Sequence, residues 1–320
     1  MQSWSVLPEM DDAGEDAAWR WSRLMRRGDF EGAWQISDAL VAARGTAPAD
    51  HLPRHQRPLW DGRPLAGKRV LVCCWHGLGD TLQFIRYAPM LHGIAAGVDV
   101  WAQPELVPLL RTADGIDRML PLHEGPPPEG YDAYVEVTEL PHVFRTVERS
   151  IPGRVPYVHV APARLPPSDR LAVGLVWQAG GGWDDRRSVP VSLLQPLRFV
   201  PGVDLHVLQR GPALQERPAG FGVDAGSEDV LETARMMRAL DVVVTVDSMP
   251  AHLAGALGVR TWTLLHSDCD WRWRDEGDRT PWYPTMRLFR QQRMGEWEPV
   301  VDRLAAQLRR VAAHKARAAA

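Results

Sequence analysis

Residues Arg69–Trp75 (RVLVCCW) form an unbroken apolar run that ends abruptly in His76-Gly77-Leu78-Gly79-Asp80. An apolar run without alternation marks a strand covered on both faces, the situation of a parallel sheet with helices on either side. The glycines let the chain turn sharply and leave amides free at the start of a helix, predicted over Thr81–Ile94. Further strands are expected at Val98–Ala102, Ile116–Leu122 and Tyr131–Val137. The pattern then restarts, with strands at Leu171–Trp177, Val203–Gln209, Val242–Val246 and Thr261–Leu265 and helices over Val191–Phe199, Asp229–Ala239 and Met249–Leu257. Two such series imply two α/β domains, each with a parallel sheet, and a cleft between them. In sheets of this kind ligands bind beyond the carboxyl ends of the strands.

The expected organisation is a helical hairpin over 1–45, a linker over 46–67 and α/β domains over 68–165 and 166–320, divided within the proline-rich Pro162–Asp169. In the hairpin, Ala18, Trp19, Leu24 and Met25 make one apolar stripe, Ala33, Trp34, Ile36, Ala39 and Leu40 the next, and Gly28-Asp29-Phe30 the turn. GDFEGAWQISDAL resembles the second half of a tetratricopeptide repeat, with Pro48 following. One repeat cannot bury both of its faces, so it reads as a cap or a homodimer element. A chain of 320 residues has room for two cores. With 37 basic and 40 acidic side chains it lacks the cationic surplus of a nucleic-acid binder. No apolar run approaches the ~18 residues of a membrane span, and the acidic amino terminus lacks the features of a signal peptide. The three cysteines, Cys73, Cys74 and Cys269, make neither a disulfide framework nor a zinc site. The reading is a cytoplasmic protein, with peripheral attachment to an inner membrane left open. Fourteen tryptophans, several beside Arg or Asp as in Asp270-Trp271-Arg272-Trp273-Arg274, suit a carbohydrate surface or ordinary core packing.

Three polar constellations stand at strand ends. After RVLVCCW, the Gly77 and Gly79 turn is neither a dinucleotide fingerprint, since Leu82 stands where a third glycine would be, nor a P-loop. Asp80 there reads either as a general base or as a helix cap. After VVVTV, Asp247-Ser248-Met249-Pro250-Ala251-His252 leads into a helix whose amino end suits a phosphate, with Asp247 accepting from ligand hydroxyls. The competing reading is an Asp/Ser cap with His252 packed inside. After LAVGLVW, the Gly180–Ser188 loop carries Arg186 and Arg187, which either wrap a diphosphate or pair with Asp184 and Asp185. Asp268-Cys269-Asp270 has the spacing of a metal-binding DxD motif but sits late in the second series, and no metal site is assigned.

GLGDTLQFIRYAPML, GLVW with its arginine loop and SVP, VVTVDSMPAHLAGALG, and DWRW…PWYPTMRLFRQ together, in that order over about residues 55–312, resemble bacterial heptosyltransferases of glycosyltransferase family 9 and their tetratricopeptide-associated relatives. The resemblance implies a GT-B fold, in which two Rossmann-like domains bind acceptor and donor respectively. It implies an inverting transfer from a nucleoside-diphosphate sugar, with ADP-heptose favoured, to a glycan, protein or small-molecule acceptor, and no required cofactor. Asp80 matches the general base, with His76 as a second candidate. Arg186 or Arg187 matches the diphosphate contact, and Asp247, Ser248, Met249 and His252 the sugar and phosphate pocket. Trp177 and Gln209 fall on the donor side, and Gly77, Gly79, Thr81 and Gln83 on the acceptor turn. Ser248 stands where Thr is frequent, Met249 where a smaller residue is frequent, and His76 where Gln or Ser is more usual. A non-catalytic sugar-nucleotide scaffold and a sugar-nucleotide epimerase stay open as alternatives.

Overall fold

The structure, a computed structural model, describes residues 16–44, 60, 62–125, 128–180 and 184–319. The acidic amino terminus, most of the expected linker, and Gly181, Gly182 and Trp183 of the glycine-rich loop lie outside the described residues. The chain forms two compact units. One contains the chain up to Pro152 together with Asp270–Asp275, and the other contains Gly153–Cys269 and Glu276–Ala320.

In the first unit, β1 (Arg69–Cys73), β2 (Gly97–Ala102), β3 (Arg118–Pro121) and β4 (Ala133–Glu136) form a parallel sheet of order β3-β2-β1-β4. Val70, Leu71, Val72 and Cys73 are fully buried, as the apolar run requires. The order reverses between β1 and β4, so the carboxyl ends of those strands make the switch point where a ligand crevice forms. The helix after β1 begins at Leu78, earlier than expected, because Gly77 in extended conformation serves as its N-cap. It is also broken into three pieces, Leu78–Phe84, a 3-10 turn Ile85–Tyr87 and Ala88–His92, since Pro89 removes a backbone donor.

The hairpin forms as expected from helices Ala17–Arg27 and Phe30–Arg44, joined by Gly28 at φ 80°. Its buried face is Met25, Phe30, Ala33 and Trp34. Trp19 and Ala39, assigned to the stripes from the sequence, are exposed. The face is occupied within this unit. The Trp34 indole donates to the Thr146 carbonyl at 2.7 Å and stacks on His142, while Asp38 binds His142 and Arg145.

In the second unit, β5 (Leu171–Leu175), β6 (Val203–Val207), β7 (Val223–Asp224), β8 (Val242–Val246), β9 (Thr261–Leu265) and β10 (Met286–Arg290) form a parallel sheet of order β10-β9-β8-β5-β6-β7. The switch point lies between β5 and β8. Helix Val230–Ala239 is capped by the Asp229 carboxylate, and the helix expected over Val191–Phe199 turns 3-10 at Gln195, ahead of Pro196. Neither β7 and β10 nor the long helix Glu298–Ala319 was expected as an element, although Val300, Val301, Leu304, Leu308 and Ala312 give that helix a buried face at helical spacing.

Helix Met249–Ala256 follows β8 and carries the polar motif, and its approach to Tyr283 depends on Gly255. A Cβ there would lie 2.3 Å from Cδ1 of Tyr283, whose ring is buried and cannot swing away. Gly255→Ala is expected to destabilise the protein by about 1–3 kcal/mol through overpacking, measured by chemical denaturation.

Candidate functional site

The switch point of the first unit collects the acid–base groups. His76 follows β1 and Glu136 ends β4, and they meet with Nε2 and Oε1 2.5 Å apart. Gln103, just past β2, fixes the turn by donating to the His76 carbonyl at 2.7 Å and accepting from the Thr81 hydroxyl at 3.0 Å. Gly77 makes the N-cap, and Gly79 lies in the first turn of the helix. The capping reading of Asp80 is realised, and its second carboxylate oxygen is held by an arginine. Oδ2 accepts from the Gly77 amide at 3.0 Å, making Asp80 a third-position cap, whereas Oδ1 is bound by the guanidinium of Arg272.

Arg272 is the residue the sequence reading missed. It lies on the six-residue segment Asp270–Asp275 that returns to the first unit, and its Nε donates to Gln83 Oε1 at 2.6 Å and its Nη1 to Asp270 Oδ1 at 2.9 Å. Its guanidinium sits 5.4 Å from the Phe84 ring and 4.7 Å from Trp271, whose ring stacks on Phe84. Trp21 of the hairpin meets Trp271 edge-on, and Arg26 binds Asp275 at 2.6 Å. The hairpin therefore helps hold the segment that carries Arg272. The Asp–Arg pairing was legible only as the DWRW motif, since nothing local says which unit a segment joins.

Burial opposes a charge on His76, but the hydrogen bond and negative charge of Glu136, with a smaller contribution from Asp80, outweigh it and raise its pKa above the ordinary 6.5 despite the opposing charge of Arg272. The neighbouring thiol of Cys74 is pushed up to about 12, chiefly by burial, so it is not a nucleophile at neutral pH.

In the second unit, Asp247 directly follows β8 and is buried. Arg187 donates from Nη1 to the Asp247 carbonyl at 3.1 Å and from Nε to the Asp184 carbonyl at 3.2 Å, which ties the arginine loop to the β8 end. Both acceptors are backbone groups, so neither neutralises its charge. Arg186 differs. Asp184 binds it through both carboxylate oxygens and Asp268 adds a contact at 3.3 Å, so the pairing alternative holds for Arg186. Asp184 is held below the usual carboxylate range, first by that bond to Arg186. Of the DxD pair, Asp268 is engaged by Arg186 and Asp270 by Arg272, and no cluster of three or more His, Cys, Asp or Glu side chains among the described residues is arranged to hold a metal ion.

Ser248 occupies the N-cap position of helix Met249–Ala256 without capping it; its hydroxyl instead reaches the Val246 carbonyl at 3.4 Å. Met249 opens the helix at the same strand end. His252 is buried and its Nδ1 meets the Tyr283 hydroxyl at 2.9 Å, the packed-histidine alternative. Gln209 accepts from the amides of Trp177 and Gln178 at 3.0 and 2.9 Å and so shapes the loop, while the Trp177 indole is in the core, edge-on to Phe221. Trp177 is thus a backbone contributor and not a ring surface for a ligand.

Two Rossmann-like units, each with its polar residues at the switch point of a parallel sheet, define the GT-B class of glycosyltransferase fold. The chain resembles the family 9 glycosyltransferase of Veillonella parvula (TM-score 0.56, 11% identity, 77% of this chain and 98% of that one). It also resembles the E. coli heptosyltransferase WaaC solved with ADP-2-deoxy-2-fluoro heptose (0.50, 14%, 75% and 99%) and the iron-containing dodecameric glycosyltransferase TibC of enterotoxigenic E. coli (0.55, 12%, 80% and 78%). Among curated sequences, protein FlbA of Caulobacter vibrioides is 27% identical over 307 residues, covering 82% of this chain; the chain spans about half the length of that relative. No protein-family model matches the chain.

The Glu136→Gln substitution is expected to lower the His76 pKa, read from its imidazole resonances by NMR titration. Because folding raises that pKa, the His76–Glu136 pair stabilises the native state fully below pH 6.5 and loses its effect as pH rises through the folded value. The substitution should accordingly cost more stability at pH 5.5 than at pH 8.5. Equal cost at both would show that the pair carries no proton-linked stability.

Proposed function

We propose that the chain is a sugar-nucleotide-dependent, inverting glycosyltransferase that moves a sugar, with heptose favoured, from a nucleoside diphosphate, with ADP favoured, to an acceptor hydroxyl or amine. One observation supports the reading: each unit places a charged group at its own switch point, the Asp80 carboxylate oriented by Arg272 in the first and the Arg187 guanidinium, bound only to backbone carbonyls among the described residues, in the second. WaaC was solved with ADP-2-deoxy-2-fluoro heptose and TibC with ADP-D-beta-D-heptose, which supports the choice of donor.

In this reading Asp80 takes the proton from the acceptor nucleophile, and Arg272 fixes the orientation of its carboxylate. The nucleophile forms a bond to the anomeric carbon as the bond from that carbon to the diphosphate oxygen breaks, with inversion. The departing nucleoside diphosphate takes the electron pair. Its growing charge is met by Arg187 and the amino end of helix Met249–Ala256, a fixed positive field that serves without a metal. Asp247 binds sugar hydroxyls. Arg187 is preferred to Arg186 for the diphosphate because Arg186 is already answered by Asp184 and Asp268. Among the described residues no helix is long and apolar enough to cross a membrane. The acceptor is a glycan, a protein or a small molecule, on the reading that the hairpin completes the acceptor unit and does not form a repeat array.

The reading is tested by release of ADP from ADP-heptose. Asp80→Asn is expected to lower turnover by about 10²–10⁴-fold with donor binding nearly intact. Near-full activity in that variant would refute the base assignment and leave His76 as the base. Arg187→Gln is expected to raise the dissociation constant for ADP, measured by calorimetry, while Arg186→Gln changes it less. The reverse order would reassign the diphosphate contact.

A further inference from the structure

The second unit holds an arginine-lined pocket that the transfer reaction leaves unused. It opens beside β10, the edge strand of the sheet, and is closed on its other side by helix Glu298–Ala319, with a volume of about 800 Å³. That is within the range of small-molecule sites, roughly 300–1,000 Å³. Arg303, Gln307 and Arg310 line it at i, i+4 and i+7, which places them on one helix face. Arg290 and Gln291 enter it from the end of β10.

The charge of this pocket is not balanced locally. Arg287 is answered by Asp278 at 3.0 Å. Arg303 and Arg310 form no ion pair with a described carboxylate; Arg303 is steadied only by the Arg290 carbonyl, 2.6 Å from its Nη2. The guanidinium of Arg290 is directed by Cys269, whose sulfur lies 2.7 Å from Nη1. Against these stands the single remaining carboxylate of Glu276. Cationic groups converging on one concavity raise the local concentration of anions. A second, independent sign is Gln291. It is 2% exposed, its Oε1 accepts from the Gly295 amide at 3.2 Å, and its Nε2 has no hydrogen-bond partner. A buried donor left unanswered is uncommon in native proteins and signals a missing acceptor.

We propose that this pocket binds a phosphate-bearing ligand, with Arg303 and Arg310 as its guanidinium contacts and the Gln291 amide as a neutral donor. Planar guanidinium groups meet phosphate oxygens in pairs, which favours phosphate over a diffuse halide atmosphere. The same chemistry arises from a soluble phosphate ester or from an anionic lipid headgroup. This site is separate from the diphosphate contact assigned to Arg187 and does not depend on it.

The test titrates the full chain with inorganic pyrophosphate by calorimetry and, in a second arm, measures its flotation with phosphatidylglycerol vesicles. Arg303→Gln with Arg310→Gln is expected to weaken the binding seen in at least one arm by about tenfold or more, since each lost guanidinium removes a charge-assisted contact. Arg303→Lys with Arg310→Lys, which keeps the charge and loses the paired geometry, retains more of it. Unchanged melting temperature in these exposed-site variants excludes unfolding. Vesicle binding lost with the arginines identifies a headgroup, and pyrophosphate binding lost without any vesicle binding identifies a soluble ester. Arg187→Gln should remove a different pyrophosphate site. Persistence of that site alone in the Arg303/Arg310 double variant separates the two assignments. No binding in either arm, or binding indifferent to Arg303 and Arg310, overturns the proposal.

Discussion

The ion pair between Asp80 and Arg272 organises the first unit. The two residues are 192 positions apart in sequence, and the pair joins the helix start after β1 to a segment that arrives after β9. One carboxylate oxygen caps the helix and the other is held by the guanidinium, so neither Asp80 nor Arg272 can turn freely. Arg272 is fixed in turn by Gln83, Asp270 and two aromatic rings, and the hairpin braces the aromatic layer through Trp21. A partly buried guanidinium of this kind needs several partners to offset its desolvation, and it has them. The two charges of the pair act in opposite directions on His76, whose own bond to Glu136 is the stronger influence and bridges the two strands that flank the switch point.

The second unit solves a related problem differently. Its loop arginines are sorted by what they bind: Arg186 to carboxylates, Arg187 to backbone carbonyls. The first arrangement cancels charge at the surface, where it contributes little to stability. The second holds a cation in place without cancelling it. An anion arriving at the start of helix Met249–Ala256 would meet that cation and the positive end of the helix dipole, with few free amides, since Pro250 has no N–H and the Ala251 amide donates to the Ser248 carbonyl.

Much of this was legible in the sequence where physics is local. The apolar runs of β1, β5 and β8 forecast buried parallel strands, and Gly77 and Gly28 forecast turns that form at those residues. Burial of Trp34 and exposure of Trp19 were not separable by periodicity alone, because both lie on helices with apolar neighbours on several sides. The long helix Glu298–Ala319 was overlooked although its apolar spacing is regular, since alanine and arginine dilute the hydrophobic signal. At the candidate site, Asp80, Arg187 and Asp247 were picked out as candidates from their strand ends. Arg272, Glu136 and Tyr283 were not, because each acts through a partner more than 30 residues away in sequence. His252 and Trp177 went the other way: polar or aromatic types at a strand end drew a functional reading, and packing claimed their side chains.

The central claim is that the protein carries a pre-formed, metal-free site for a nucleoside diphosphate. It is tested most directly by thermal unfolding of the full chain with ADP, UDP, GDP or CMP, each with magnesium or with EDTA. A ligand at about 100 times its dissociation constant adds ~2.7 kcal/mol, enough to raise the midpoint by several degrees. The account predicts stabilisation by ADP that is indifferent to EDTA. Stabilisation by none of the four, or only in the presence of magnesium, would contradict it.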